Sequence, residues 1–169
     1  DQPSSGQVFF QDRDLAKLSN HELTYYRRES VGFVFQAYNL VPSLTALENV
    51  SLPIEMTGQH NFSVSQALAT DWLNKVGLSH RITHYPRQLS GGEQQRVAIA
   101  RAFASQPNIL FADEPTGNLD SKTGHQVIDL LFELNREHQT TLILVTHDEY
   151  LAKRCDRTLR IEDGKIIDD

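Results

Sequence analysis

Polar side chains follow three short apolar runs of this sequence, each at the point where the run ends. They are Gln36 after residues 31–35, Asp113 and Glu114 after residues 109–112, and His147 two residues after residues 142–145. Carboxylates bind hard cations such as Mg²⁺ or polarise an attacking water, while amides and imidazoles hydrogen-bond phosphate oxygens. Together these residue types suit the positioning and charge stabilisation that phosphoryl transfer needs.

A second candidate site is the string LSGGEQQR at residues 89–96. Ser90 is a predicted helix N-cap, and the helix is expected to begin near Gly92. The first turn of a helix leaves backbone N–H groups unpaired, and its dipole favours an anion. Gly91 and Gly92 would let that backbone approach the anion closely. A bare Ser-Gly-Gly would only start a helix, so the prediction of an anion site depends on the complete string.

The apolar runs are predicted strands of a parallel sheet. Each is short and strongly apolar, and the last two flank an amphipathic helix marked by Val127, Leu131 and Leu134. Apolar strands that alternate with helices predict an α/β fold whose parallel sheet is covered on both faces. Ligands of such sheets bind beyond the carboxyl ends of the strands, where all four polar residues are expected to lie.

The section between residues 37 and 88 has a different, helical character. Thr45 followed by Glu48 predicts a capping box at the start of a first helix. Residues 65–76 carry apolar side chains on one helical face, and Gly77 is a plausible end of that second helix. This section therefore predicts a small helical subdomain between two parts of the sheet.

Composition narrows the possible function classes. The chain has 169 residues and a net charge of −6, so no global basic field attracts nucleic acid. Its longest apolar runs are far shorter than the ~20 residues that a membrane helix needs. We therefore expect one compact domain that does not span a membrane and that ends in a hairpin over residues 159–167.

The complete string at residues 89–96 resembles the signature motif of ABC-type ATPases, the nucleotide-binding subunits of ATP-driven transporters. The resemblance extends over essentially the whole chain and implies a P-loop NTPase (RecA-like) fold, with a mostly parallel sheet and an inserted helical subdomain. Residues 39–53 and 111–120 resemble subunits of lipoprotein-release and macrolide-export systems. The family also implies ATP and Mg²⁺ as cofactors.

The resemblance assigns catalytic and metal-binding roles to the residues at the strand ends. Gln36 matches the Q-loop glutamine, which touches the Mg²⁺ and the attacking water. Asp113 matches the Walker B acid on the metal side, and Glu114 matches the catalytic carboxylate. His147 matches the switch histidine, which hydrogen-bonds the γ-phosphate.

The resemblance also implies a set of residues that bind ATP. Ser90, Gly91, Gly92 and Glu93 match the signature residues, which contact the ATP held by the other subunit of a head-to-tail pair. Asp120 ends the sequence GNLD, which is similar to the family's D-loop. The chain is therefore expected to form a homodimer or to pair with another ATPase subunit.

One motif of the family is absent from these residues. None of the nine glycines begins the phosphate-loop pattern G-x-x-x-x-G-K-[ST]. The chain resembles the part of an ABC ATPase that follows the first strands and the phosphate loop. It is therefore expected to be inactive alone and to self-associate through unpaired strand edges and uncovered apolar surface.

The resemblance divides the chain into three parts and implies a membrane partner. Residues 1–36 would be the remnant of the nucleotide-binding core that ends at the Q-loop, residues 37–88 the helical subdomain, and residues 89–169 the rest of the core. The segment from Tyr38 to Leu47 is the expected contact with a transmembrane permease. The ATPase is then expected to lie in the cytoplasm, on the inner face of the cell membrane.

Two alternatives remain open beside the transporter subunit. A soluble ABC-type ATPase of DNA repair carries a very long coiled coil before the signature, whereas residues 37–88 contain no sustained heptads. A soluble ABC-type ATPase of translation carries tandem domains, and the 169 residues of this chain cannot distinguish that arrangement. A non-catalytic remnant fits the absent phosphate loop, but the four strand-end residues argue against it for the parent protein.

Overall fold

A computed structural model of the chain describes residues 3–168. The strands are β1 (Phe9–Phe10), β2 (Arg13–Asp14), β3 (Val31–Phe35), β4 (Ile109–Asp113), β5 (Thr141–Val145), β6 (Arg160–Glu162) and β7 (Lys165–Asp168). The helices are α1 (Asn20–Ser30), α2 (Ala46–Thr57), α3 (Phe62–Lys75), α4 (Gly91–Ala104), α5 (Ser121–His138) and α6 (Glu149–Ala152).

The three predicted apolar strands form one parallel sheet in the order β3-β4-β5. Phe35, Asp113 and Val145 are register partners at its carboxyl edge, so the three strands end at the same level. The α/β fold with a parallel sheet is therefore confirmed. It brings the strand-end residues to one edge, as the sequence predicts.

The two faces of this sheet differ, which corrects the prediction that both are covered. One face carries Val34 and Leu110, which are fully buried and belong to the same core cluster as apolar side chains of α4 and α5. On the other face Phe33 stacks on Phe111 with ring centroids 5.5 Å apart, and Val145 is 55% exposed. Ile143 on the same face is 40% exposed, so among residues 3–168 this second face is only partly covered.

The section between residues 37 and 88 is helical, as predicted. Helix α2 begins with a complete capping box of Thr45 and Glu48. Helix α3 begins three residues earlier than expected, because the side chain of Asn61 accepts a hydrogen bond from the N–H of Val64 and caps it there. The two helices pack on each other and on α4, with Trp72 buried in their core.

The chain ends in the predicted hairpin. Strands β6 and β7 are antiparallel, and the residues between them, Asp163 and Gly164, both have a positive φ. A two-residue turn with positive φ at both positions matches the twist of a hairpin. In the part of the chain that the structure describes, no helix is long and apolar enough to cross a membrane.

Candidate functional site

Glu114 and His147 are hydrogen-bonded to each other beyond the carboxyl ends of β4 and β5. Oε1 of Glu114 lies 2.9 Å from the backbone nitrogen of His147, which donates to it, and 2.5 Å from the Nδ1 atom of the same residue. The backbone N–H of Glu114 donates to the carbonyl of Val145 at 2.9 Å, which extends the sheet pairing by one residue. Two residues 33 positions apart in the sequence thus form one carboxylate–imidazole pair.

The backbone of Glu114 has an unusual conformation. Its φ is 43°, in the left-handed region that residues with a side chain rarely adopt. The chain therefore turns sharply as it leaves β4, and the carboxylate is aimed sideways at His147. Such outliers cluster at functional sites because surrounding contacts must hold them in place.

Gln36 lies against a different loop, the one formed by residues 117–120. The side-chain amide of Asn118 donates to the carbonyl of Gln36 at 2.9 Å, and the Gln36 amide donates to Oδ1 of Asn118 at 3.4 Å. Gly117 makes room for this pair, since a Cβ at that position would lie 2.6 Å from Nε2 of Gln36. The loop of residues 117–120 therefore holds Gln36 by both its backbone and its side chain.

Asp113 is the last residue of β4 and is exposed to solvent. No hydrogen bond from residues 3–168 reaches its carboxylate, so both oxygens are available to a ligand. Beside it, a cavity of about 230 Å³ is lined by Glu114, Asp120, His147 and residues of α5. The structure thus brings these three predicted residues to one cavity, while Gln36 and the signature lie outside its lining.

The signature residues form the first turn of α4, which begins at Gly91, one residue before the predicted start. The side chain of Ser90 accepts from the N–H of Glu93, and the Glu93 carboxylate accepts from the N–H of Ser90 at 2.8 Å. That backbone hydrogen bond is the largest cause that lowers the pKa of Glu93, and Arg81 contributes through an ion pair of 3.0 Å. This reciprocal cap fixes the helix end that carries the paired glycines.

Both glycines of the signature let neighbouring side chains pack closely against the backbone of α4. A Cβ on Gly91 would lie 2.8 Å from the phenol oxygen of Tyr38 and 3.3 Å from a methyl carbon of Leu119. A Cβ on Gly92 would collide with the side chain of Thr123 on α5. The first turn of α4 is therefore wedged between the loops that follow β3 and β4.

Three residues to which the sequence analysis gave no role of their own position the predicted ones. Asn118 binds Gln36, and Arg81 pairs with Glu93, as described above. Gln95 is fully buried in α4 and donates to the carbonyl of Pro115 at 2.6 Å, which ties the signature helix to the residue after Glu114. Gln95 is a polar residue at a position where the 3.6-residue period of α4 requires an apolar side chain. This break in the pattern is the feature of the sequence that could have indicated its role.

Comparisons with known proteins agree on one family. A family model described as ABC transporter matches residues 1–117. The uncharacterized ABC transporter ATP-binding protein YbbA of Escherichia coli K12 is 52% identical over 166 residues, which cover 98% of this chain and 72% of that protein. The lipoprotein-releasing system ATP-binding protein LolD of Geobacter metallireducens is 48% identical over 169 residues, covering 100% of this chain and 75% of its own length.

Solved structures lead to the same family. The ATP-binding cassette MJ0796, in a dimeric post-hydrolysis state bound to ADP and Pi, matches with a TM-score of 0.88 and 43% sequence identity. The match covers 99% of this chain and 74% of that one. A second dimeric structure of MJ0796, a bacterial ABC transporter cassette, matches with the same TM-score and 44% identity. The identity is high enough that the match concerns the family as well as the fold.

Proposed function

Since this chain belongs to the ABC transporter family and has the fold of its ATP-binding cassettes, we propose that its binding and hydrolysis of ATP drive a membrane permease. The single observation that carries this proposal is the carboxyl edge of the parallel sheet. There Asp113 stands in register with the strand that ends before Gln36, and the Glu114–His147 pair follows directly. No other edge of the described residues gathers these chemical groups.

Each residue of this edge has one proposed role. Glu114 orients and polarises the attacking water, and His147 hydrogen-bonds the γ-phosphate. Gln36 would help to hold Mg²⁺ and that water. Because Glu114 and His147 share a hydrogen bond, movement of one changes the position of the other. The pair therefore suits a site in which the base and the phosphate contact must be aligned together.

The donors available at this edge fit Mg²⁺. Asp113 offers an exposed carboxylate without a partner among residues 3–168, and Gln36 offers an amide oxygen. Within the same residues, no group of three or more His, Cys, Asp or Glu side chains is arranged to hold a metal by itself. Mg²⁺ commonly binds one or two carboxylates together with substrate phosphates, so it would reach this site with the nucleotide and neutralise its charge.

We assign the signature turn to a nucleotide held by another subunit. Ser90, Gly91, Gly92 and Glu93 begin a 14-residue helix whose unpaired N–H groups and dipole favour phosphate. Asp120 caps α5 beside that turn and would lie at the same subunit boundary. The similarity to a cassette that is dimeric in its solved structures supports this arrangement.

The permease is proposed to contact the loop of residues 38–47. Val41, Pro42 and Ser43 are exposed there, whereas the loop is held from inside by Asn49, which is fully buried. The Asn49 side chain accepts from the N–H of Val41 and donates to the carbonyls of residues 41, 44 and 45. A rigid, exposed loop is a suitable docking surface because little entropy is lost when a partner binds it.

The proposed division of the chain and its proposed location agree with a permease at this loop. Residues 37–88 would form the helical subdomain, between core parts at residues 1–36 and 89–169. The ATPase would lie on the cytoplasmic face of the membrane. Similarity to the lipoprotein-releasing LolD protein supports an export system, and neither relative is named as a repair or translation factor.

The chain by itself is proposed to have no ATPase activity, because residues 1–169 contain no G-x-x-x-x-G-K-[ST] pattern to grip a triphosphate. A mixing experiment tests its contribution to a shared site. A complete cassette of the family is made inactive by substitution of its own signature serine, and this chain is then added with ATP and Mg²⁺. We expect ATP turnover to return, because Ser90 and the glycines complete the site on the other subunit.

Two variants of this chain serve as matched controls in the mixture. Ser90→Arg should abolish the recovery, since it places a bulky side chain at the phosphate-binding turn. Glu114→Gln should leave the recovery intact, since the catalytic carboxylate of the shared site belongs to the complete cassette. The proposal fails if wild-type chain restores no turnover, or if the Ser90 variant restores as much as wild type.

A further inference from the structure

Two consecutive residues after Gln36 have a backbone conformation that non-glycine residues avoid. Tyr38 has a φ of 60° and Asn39 a φ of 48°, and both lie in the left-handed region. Asparagine tolerates this region, but an aromatic residue is a genuine outlier in it. Such a conformation persists only where surrounding contacts hold it. The contacts of Tyr38 and Asn39 therefore indicate the role of this strained turn.

Arg101, near the end of α4, holds this strained turn. Its guanidinium donates to the carbonyl of Tyr38 at 2.9 Å and to that of Asn39 at 2.5 Å. The N–H of Tyr38 donates to the carbonyl of Phe35 at 3.1 Å, which closes a turn with Gln36 inside it. Burial lowers the pKa of Arg101, and among residues 3–168 the hydrogen bonds of its guanidinium go to these two backbone carbonyls.

The strained backbone aims the Tyr38 ring at the other end of α4. Its phenol oxygen lies beside Gly91, where a Cβ would be only 2.8 Å away, and Leu119 packs on the same glycine. The loop of Gln36 therefore touches α4 twice, by its carbonyls near the end of the helix and by the Tyr38 ring at the signature turn. A glycine at position 91 is what allows the ring to approach so closely.

We propose that Tyr38 is a positioning residue that fixes the signature turn relative to the loop of Gln36. The contact to a nucleotide through Gln36 and the contact to a partner's nucleotide through the signature then move as one unit. This inference rests on the proposed function for its meaning, but the mechanical link that it asserts is a property of the chain alone. The two are therefore tested separately.

The mechanical link is measured by hydrogen–deuterium exchange with mass spectrometry on the 169-residue chain. Tyr38→Gly relieves the unfavourable φ and removes the ring, so we expect at least tenfold faster exchange at residues 92–95 and no change at residues 98–103 of the same helix. Arg101→Lys keeps the charge but not the planar fork, and it should also speed exchange at residues 92–95. Tyr38→Phe keeps the ring and should stay within twofold of wild type.

Asn39→Gly is the matched control, because it adds a glycine to the same left-handed turn and keeps both the Tyr38 ring and the backbone carbonyls that Arg101 binds. Equal effects of Asn39→Gly and Tyr38→Gly would overturn the proposal, as would unchanged exchange at residues 92–95 in the Tyr38→Gly chain. Faster exchange spread evenly over α4 would also overturn it, because it would show general destabilisation.

A functional readout separates positioning from a merely structural role. In the mixing experiment with the complete cassette, Tyr38→Gly should raise the chain concentration needed for half-maximal recovery at least tenfold, although its unfolding midpoint is not lowered. Tyr38→Phe should restore wild-type recovery. If wild-type chain restores no turnover, the proposed function fails while the exchange data still decide the role of Tyr38.

Discussion

Substitution of Gly32 by alanine tests the packing between the strand that leads to Gln36 and the signature helix. A Cβ on Gly32 would lie 2.5 Å from the carbonyl oxygen of Ala102 and 2.8 Å from a methyl carbon of Leu110. The carbonyl belongs to the backbone of α4, so it cannot turn away as a flexible side chain would. The strand and the helix must separate by a few tenths of an ångström or more.

The expected decrease in the free energy of unfolding follows from overpacking of a closely packed core. Inserting a methyl group where the neighbours cannot yield costs about 1–3 kcal/mol. For a domain of this size each kcal/mol lowers the unfolding temperature by roughly 2–4 °C, so Gly32→Ala should lower it by roughly 2–12 °C. Gly124 in α5 is the matched control, because a Cβ there would meet its nearest neighbour, Thr116, at an ordinary 3.5 Å.

The two glycines should therefore respond with opposite signs. Gly124→Ala should stabilise the chain by up to about 1 kcal/mol, since glycine in a helix interior costs that much relative to alanine. Urea unfolding followed by the fluorescence of Trp72, the single tryptophan, measures both changes. The reasoning is refuted if Gly32→Ala unfolds at the wild-type urea concentration, or if Gly124→Ala is destabilised as strongly as Gly32→Ala.

Three further predictions concern other parts of the chain. Asn49→Ala should lower the free energy of unfolding by roughly 2 kcal/mol, since partly buried N–H and carbonyl groups of the 38–47 loop lose their partner; an unchanged urea midpoint would contradict this. The pKa of Glu93 is lowered in the folded state, so its contribution to stability is present at neutral pH and is lost as the pH falls below the ordinary glutamate value of about 4.3. Unfolding experiments at pH 7 and at about pH 3.5 should therefore show a smaller loss for Glu93→Gln than for wild type, and an equal loss would exclude that role. The exposed apolar side chains of Ile143 and Val145 should drive self-association, so replacing both by lysine should shift sedimentation toward monomer; a wild-type chain that is already monomeric would argue against it.

The sequence predicted the fold class because its signals are local. Apolar runs of four or five residues, each followed by polar side chains, identify parallel strands and the edge where they end. The Thr45–Glu48 spacing identified a capping box, which needs only four consecutive residues to form. The assignment to the ABC transporter family rested on several such local motifs, above all the string at residues 89–96, and the comparisons confirm it.

The sequence was less informative where distant segments meet. Coverage of both sheet faces was predicted wrongly for residues 3–168, because the apolar pattern of a strand does not say which element lies against it. The partner of Gln36 was not predicted either, since Asn118 is 82 residues away and a single polar residue in a loop carries no pattern. The catalytic and binding roles of the individual site residues remain predictions.

The sequence by itself determined which chemical groups stand at the strand ends and where helix α2 begins, because apolar runs and capping boxes depend on neighbours along the chain. Only the tertiary structure decided that Glu114 bonds to His147 and that the Tyr38 ring reaches Gly91. Those contacts depend on strand register and on the spacing between helix and sheet. Both are set by the sum of many small packing contacts across the core, which no short stretch of sequence contains.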